Sequence, residues 1–374
     1  MKNQDMISRR QFVAIAFVAI LSPLIRRFPR VLAGTAGRAA GLSAPLAAVP
    51  LALVLLLTAL MFRRSPSGTG CGELMEKVLG VPLARVLCAL YALWLLLYAG
   101  FLLRSGANRF VSTVYQGAAP GLFIVCAAIV CSFAALGPLK ALARSAMLLR
   151  PLMIAIFVLV IALTVKDSDY SLLLPVTADD AQGAAGGALQ LANLLGVAGY
   201  FAFVGDRVEG GRFRARDFAW WLAALLLIIG LMTVGCLAMF GAELTAKMTY
   251  PFFMLARDVT ILGAMERIEP IVIAMWILSD FILVSALLWI SARNLRYAFG
   301  VPDDRAVARL SDLRRGRWLV PLGAVLAAAA AFAVPGEVPA AAYLSETLVP
   351  SVSAALVFGV PLLVLLVGLI RKKI

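Results

Sequence analysis

The chain has 374 residues, of which 63% are hydrophobic and 14% charged, whereas soluble domains carry roughly 25% charged residues and 45–50% apolar ones. A water-soluble fold cannot hide that much apolar surface, and the absence of His excludes histidine acid/base chemistry and His-ligated metal sites. Lys and Arg number 34 against 20 Asp and Glu, but they sit in short clusters between apolar runs, which is the pattern of a membrane protein and not of a nucleic-acid-binding face.

Met1 to Arg10 is short and charged and leads into an apolar run with no small-residue cleavage signal, so that run is read as a retained helix. From there the sequence predicts an all-α integral membrane protein. Stretches long enough to cross about 30 Å of hydrocarbon fall at 11–33, 44–62, 81–103, 121–136, 145–165, 187–204, 218–240, 268–290, 318–334 and 348–370. Inside lipid each must be helical to satisfy its own backbone. These spans make a single transmembrane domain over 1–374, with one repeat at about 9–166 and a second, inverted repeat at about 186–371.

With both termini placed in the cytoplasm, the inner segments collect most of the cations, from Arg9 and Arg10 through Arg207, Arg212, Arg214 and Arg216 to Arg371, Lys372 and Lys373. The outer side collects Asp167, Asp169, Asp179, Asp180, Glu337 and Glu346. Trp220, Trp221 and Trp318 fall at inner helix ends, where such rings anchor. Of the five Cys, Cys71 lies in a polar loop and the other four in apolar runs, with neither metal-ligand nor disulfide spacing.

The first and sixth spans, which head the two halves, are both expected to be interrupted. The first holds Ser22, Pro23 and Leu24 followed by Arg26 and Arg27, and a proline inside a helix deletes a backbone bond and clashes with the preceding turn. The sixth carries Gly196, Gly199 and Gly205 around Asn193 and Tyr200. Broken helices at matching positions point to a transporter-type binding site, because half-helix ends present free N–H and C=O groups to a ligand; Pro kinks and Gly packing are also ordinary in membrane helices. Asp280 stands in the middle of the eighth span, so it is expected to face a cavity or a partner. Arg26 and Arg27 are the expected partners. Such a pair can serve a ligand, act as a proton-sensitive gate, or only fix helix packing. Arg104, Asn108 and Arg109 are expected to snorkel to the outer interface, with ligand binding the alternative. The segment 243–266 reads as an amphipathic lid or an interfacial helix, and the Arg- and Asp-rich loop 300–316 as a solvated tether in preference to a partner-docking site.

Four short motifs carry a resemblance: Phe28-Pro29-Arg30, Tyr250-Pro251-Phe252, Met265-Glu266-Arg267-Ile268-Glu269, and Ala292-Arg293-Asn294-Leu295 running to Phe299-Gly300. Together with span order and length they resemble the B subunits of nutrient germinant receptors of endospore-forming bacteria, spore germination permeases of the amino acid/polyamine/organocation transporter superfamily. The resemblance implies ten helices in a five-plus-five inverted repeat with interrupted first and sixth helices. It also implies a spore inner-membrane protein working with A-type and C-type receptor subunits, binding a small nutrient and needing no cofactor. The ligand-binding residues expected on this reading are Ser22, Pro23, Leu24, Arg26, Arg27, Asn193, Gly196, Gly199, Tyr200 and Asp280. An ion- or proton-coupled amino-acid transporter is the alternative, while no motif for an enzyme is present. One departure stands out. The family's first helix breaks at a Gly-rich stretch, whereas Ser22-Pro23-Leu24 and two arginines occupy that place here. A cationic pair at the break favours an anionic or carboxylate-rich ligand, unless Asp280 neutralises it and leaves the pocket apolar.

Overall fold

A computed structural model describes residues 6–63, 69–115, 117–209, 215–258, 260–261, 264–265, 269–301, 316–334 and 343–371. Met1 to Asp5, Glu266 to Ile268, most of the 300–316 loop, Arg212, Arg214, Glu337, Lys372 and Lys373 lie outside the described residues. Among the described residues, seven helical stretches are long and apolar enough to cross a bilayer and two shorter apolar helices accompany them. The first of the seven runs through two expected spans, so the chain-order pattern read from hydropathy is retained.

Helix α1 (Arg9–Ala36) begins at a capping box: Ser8 accepts from the Gln11 amide and the Gln11 side chain accepts from the Ser8 amide. From Ala14 to Ile25 it is buried on every side, as expected of a helix that is apolar all round. It is the central rod, and it ends where Gly37 takes a positive φ of 55°, a turn that a side chain would strain. Helices α2 (Ala40–Leu46) and α3 (Ala48–Arg63) form the second span. A short helix, α4 (Cys71–Leu79), precedes α5 (Val81–Thr113). Cys71 therefore opens a helix and is buried, where a polar loop was expected.

Helices α6 (Pro120–Leu136) and α7 (Leu139–Thr164) complete the first half. In the second half, α8 (Ala181–Leu195) passes into a 3₁₀ helix, Gly196–Arg207, followed by α9 (Ala215–Lys247). Then come α10 (Pro251–Arg257), a two-residue hairpin of β1 (Thr260–Ile261) and β2 (Ala264–Met265), α11 (Glu269–Ala298) and α12 (Leu319–Ala333). The final span, 344–370, alternates α turns with two π segments, Leu344–Leu348 and Ala355–Gly359. Pro350 and Pro361 follow these segments closely, and a widened turn relieves the clash between a proline ring and the preceding carbonyls.

α1 packs against α7, α8, α9 and α11, and α5 against α11 and α12. Two expectations change here. α5 continues ten residues beyond the expected end of its span, so Arg104 to Arg109 are helical and Arg109 is buried, not snorkelled to an interface. The helix that follows α9 does not lie on the surface either. Phe252 and Leu255 of α10 are fully buried, Phe252 stacks on Phe157, and Tyr250 and Phe253 contact the ring of Trp276. Three aromatic anchors turn that helix into a wedge between α1, α7, α9 and α11.

Candidate functional site: a cationic cavity between the two halves

The break expected in the first span takes a milder form than unwinding. The chain keeps a helical course through Ser22, Pro23 and Leu24, but the Ser22 amide donates to Ser279 Oγ of α11 at 2.8 Å, and that hydroxyl donates to the Val18 carbonyl. A side-chain hydroxyl thus bridges the two backbone groups that an uninterrupted helix joins directly, an insertion that kinks helices. Pro23, which has no N–H, follows at once. Burial among α7, α9 and α11 holds the opened turn in helical course.

The sixth span is interrupted outright. Its α winding stops at Leu195, and twelve residues of 3₁₀ winding follow, far beyond the three or four such residues usually tolerated. The glycines are needed for approach. A Cβ on Gly199 would lie 2.4 Å from Val357 Cγ1 and one on Gly196 3.1 Å from the Phe358 ring, so this stretch sits directly on the second π segment. Tyr91 donates to the Leu356 carbonyl in that segment. Tyr200 is fully buried and accepts from Trp94 Nε1 at 2.8 Å.

Beside these two irregular stretches lies a cavity of about 450 Å³. One stripe of α1 forms a wall, with Pro23, Arg26, Arg27, Arg30, Val31 and Gly34 at helical spacing. Tyr98 and Phe101 of α5, Gln190 and Asn193 of α8, Val197 of the 3₁₀ stretch, Ala246 of α9, and Thr347, Ser351 and Ser353 of the final span face it. The floor is buried at Pro23, Arg26 and Ser353, and the rim is exposed at Gly34, Gln190 and Thr347. The cavity therefore opens toward the face at which α1 ends.

Of the residues expected to bind ligand, Pro23, Arg26, Arg27 and Asn193 line this cavity. Ser22 and Leu24 turn into the core, Gly196, Gly199 and Tyr200 pack against the final span and α5, and Asp280 lies behind the wall. The expected pairing of Asp280 with Arg26 or Arg27 is corrected. Asp280 is bridged by Arg109, whose guanidinium carbon lies 5.0 Å over the Trp276 ring. Gly106 makes room for this pair, since a Cβ there would stand 3.3 Å from Asp280 Oδ2. Arg26 instead donates to Ser105 Oγ at 2.6 Å. Ser105, Tyr98 and Tyr91 recur every seven residues along α5; of these, Tyr98 lines the cavity and Ser105 holds the Arg26 guanidinium.

At the opposite face, where α1 begins, polar contacts tie the elements together. Arg293 of α11 makes a bidentate bridge to Asp206 at the end of the 3₁₀ stretch and also donates to the Phe203 carbonyl at 2.8 Å. Ile7, fully buried, is clipped to the same stretch through Arg207 and Glu209 backbone groups. Tyr297 donates to Glu76 alongside. No group of three or more His, Cys, Asp or Glu suited to a metal occurs among the described residues.

A broken sixth span, an opened first span and a cavity between them define a transporter-type membrane fold, and comparison with solved structures agrees. A Na⁺-coupled sialic acid symporter in a substrate-bound outward-open state aligns with a TM-score of 0.62 and 11% identity, covering 95% of this chain and 80% of the symporter. MhsT in complex with L-phenylalanine aligns with a TM-score of 0.52 and 17% identity, covering 98% and 99%. Identities this low establish the fold alone. No curated protein matches the chain in sequence. The family model for spore germination proteins matches residues 6–311, and the chain belongs to that family of spore permeases. It is an integral membrane protein of transporter type.

Proposed function

We propose that this chain is the nutrient-sensing membrane subunit of a spore germinant receptor. The observation that carries this reading is the 450 Å³ cavity built from the opened first span, the interrupted sixth span and the final span, open on one face while the other is latched. A small nutrient, amino-acid-like in size and polarity, that fits one arrangement of these spans better than another shifts the population of arrangements. Partner subunits of A and C type read that shift. Both termini lie in the cytoplasm on this reading, so the cavity faces outward. The family supports the germination role, and no catalytic constellation among the described residues favours an enzyme.

The test is a spore carrying Asn193→Leu, which fills part of the cavity without touching the latch. It should lose its response to the nutrient while the protein accumulates normally in the inner membrane. Reconstitution into proteoliposomes separates the second reading, a coupled transporter, which the buried Asp280–Arg109 pair favours. Nutrient accumulation driven by an ion gradient and lost in Asp280→Asn would establish transport, whereas binding without accumulation supports sensing.

A further inference from the structure

Arg26 is 4% exposed and lies on the cavity floor. Its polar partner is a neutral hydroxyl, Ser105 Oγ, and its Nε has no partner among the described residues. The part-buried Asp280 is already engaged by Arg109, so one carboxylate serves two buried guanidinium groups. No Asp or Glu occurs among the described residues lining the cavity. A buried cation that must share its nearest carboxylate with a second guanidinium is under-compensated, and a cavity floor that keeps one is suited to receive an anion.

The second feature is spacing. Arg26 and Arg30 both line the cavity and are four residues apart on α1, which puts their Cβ atoms roughly 5–6 Å apart on one face. Arg26 sits at the floor and Arg30 nearer the rim. Two guanidinium groups one turn apart match the two ends of a four- or five-carbon dicarboxylate, each offering a fork of N–H donors to one carboxylate. Tyr98 and Phe101 cover the aliphatic middle of such a ligand, and the Asn193 amide and Ser353 hydroxyl can take a substituent between the ends.

On the reading of the cavity as a nutrient site, we infer that its ligand class is a small dicarboxylate, an acidic amino acid or a C4–C5 diacid, seated between Arg26 and Arg30. The test uses the full-length protein in detergent and measures thermal unfolding against added ligand. L-Glutamate, L-aspartate and succinate should each raise the Tm by several degrees at saturation. L-Glutamine, L-asparagine and succinamide, which keep shape and remove charge, should bind roughly tenfold more weakly or worse. Arg26→Gln should abolish the glutamate shift and Arg30→Gln should weaken it. The diacid and diamide comparison on the unaltered protein holds even if Arg26→Gln fails to fold. Equal shifts from L-glutamate and L-glutamine, undiminished in Arg30→Gln, would overturn the anionic class and leave the nutrient site standing. No shift from any of these or from neutral amino acids such as L-alanine and L-leucine would overturn both.

Discussion

Two ion clusters sit at different depths in this bundle, and they differ in how completely their charges are answered. At the face where α1 begins, Asp206 takes both nitrogens of the Arg293 fork, and the same guanidinium also reaches the Phe203 carbonyl. At mid-depth, Asp280 and Arg109 share one contact, and Asp280 Oδ1, Arg109 Nη1 and Arg26 Nε are left without partners among the described residues. Desolvation charges both clusters heavily, and only the first recovers that cost through full pairing. The first therefore behaves as a latch, holding the 3₁₀ stretch to α11. The second has capacity to spare beside a cavity, which is what a ligand site needs before its ligand arrives.

Breaking the latch should have the largest effect. In Asp206→Leu the part-buried Arg293 loses its counter-charge, and about 3 kcal/mol of stability should go with it. Thermal unfolding of the purified protein measures this, and adding Arg293→Met should restore most of the loss. If the single variant is as stable as the parent, the latch holds nothing.

Arg109→Met is the matching cut at mid-depth. The Asp280 left behind keeps 16% side-chain exposure, close to the 18% of the Arg293 orphaned by Asp206→Leu, but Arg26 stands close enough to take over part of the charge. The expected loss is smaller, about 2 kcal/mol. A loss equal to that of Asp206→Leu would mean the two clusters are equally committed, and the contrast between latch and ligand site would fail.

How much of this was legible in the sequence depends on the depth at which charges meet. Hydropathy marked the spans because twenty apolar residues have no other home, and the glycines of the sixth span marked its interruption because Gly199 must clear Val357. The partner of Asp280 was not legible. Along a sequence, Arg26 and Arg27 stand at the right depth, while Arg109 looks like an outer-end residue; α5 runs ten residues further as helix and brings Arg109 back against α11. The first-span break was visible as Pro23, but its form depends on Ser279, a residue 257 positions from Ser22. Cavity residues on the final span were missed because their placement follows from π segments, whose only sequence trace is Pro350 and Pro361.

Ser279→Ala probes that hydroxyl bridge between α1 and α11. Without the hydroxyl, the Ser22 amide and Val18 carbonyl either rejoin as an ordinary helical bond or stay apart unsatisfied, so the cost should be about 1 kcal/mol. Hydrogen exchange at the Ser22 amide distinguishes the two. Slower exchange than in the parent means the turn closes, and a narrowed cavity with weaker ligand binding should accompany it.

The smallest effect belongs to a carboxylate that is hydrogen-bonded without being buried. Asp169 is fully exposed, accepts from the Ser171 amide at 2.9 Å, and is held below the usual carboxylate range by its bonds to the Ser171 side chain and backbone. A carboxylate depressed in the folded state contributes stability above its unfolded pKa of about 3.9, and that contribution is lost as pH falls through the lower folded value. Asp169→Asn should therefore leave stability at neutral pH nearly unchanged and flatten only the acid limb of a Tm-against-pH profile. Asp206→Leu, by contrast, should lower the whole profile. If Asp169→Asn shifted the profile at neutral pH as much as Asp206→Leu does, burial would not be what separates strong from weak charge pairs in this protein, and the assignment of the latch would have to be made on other grounds.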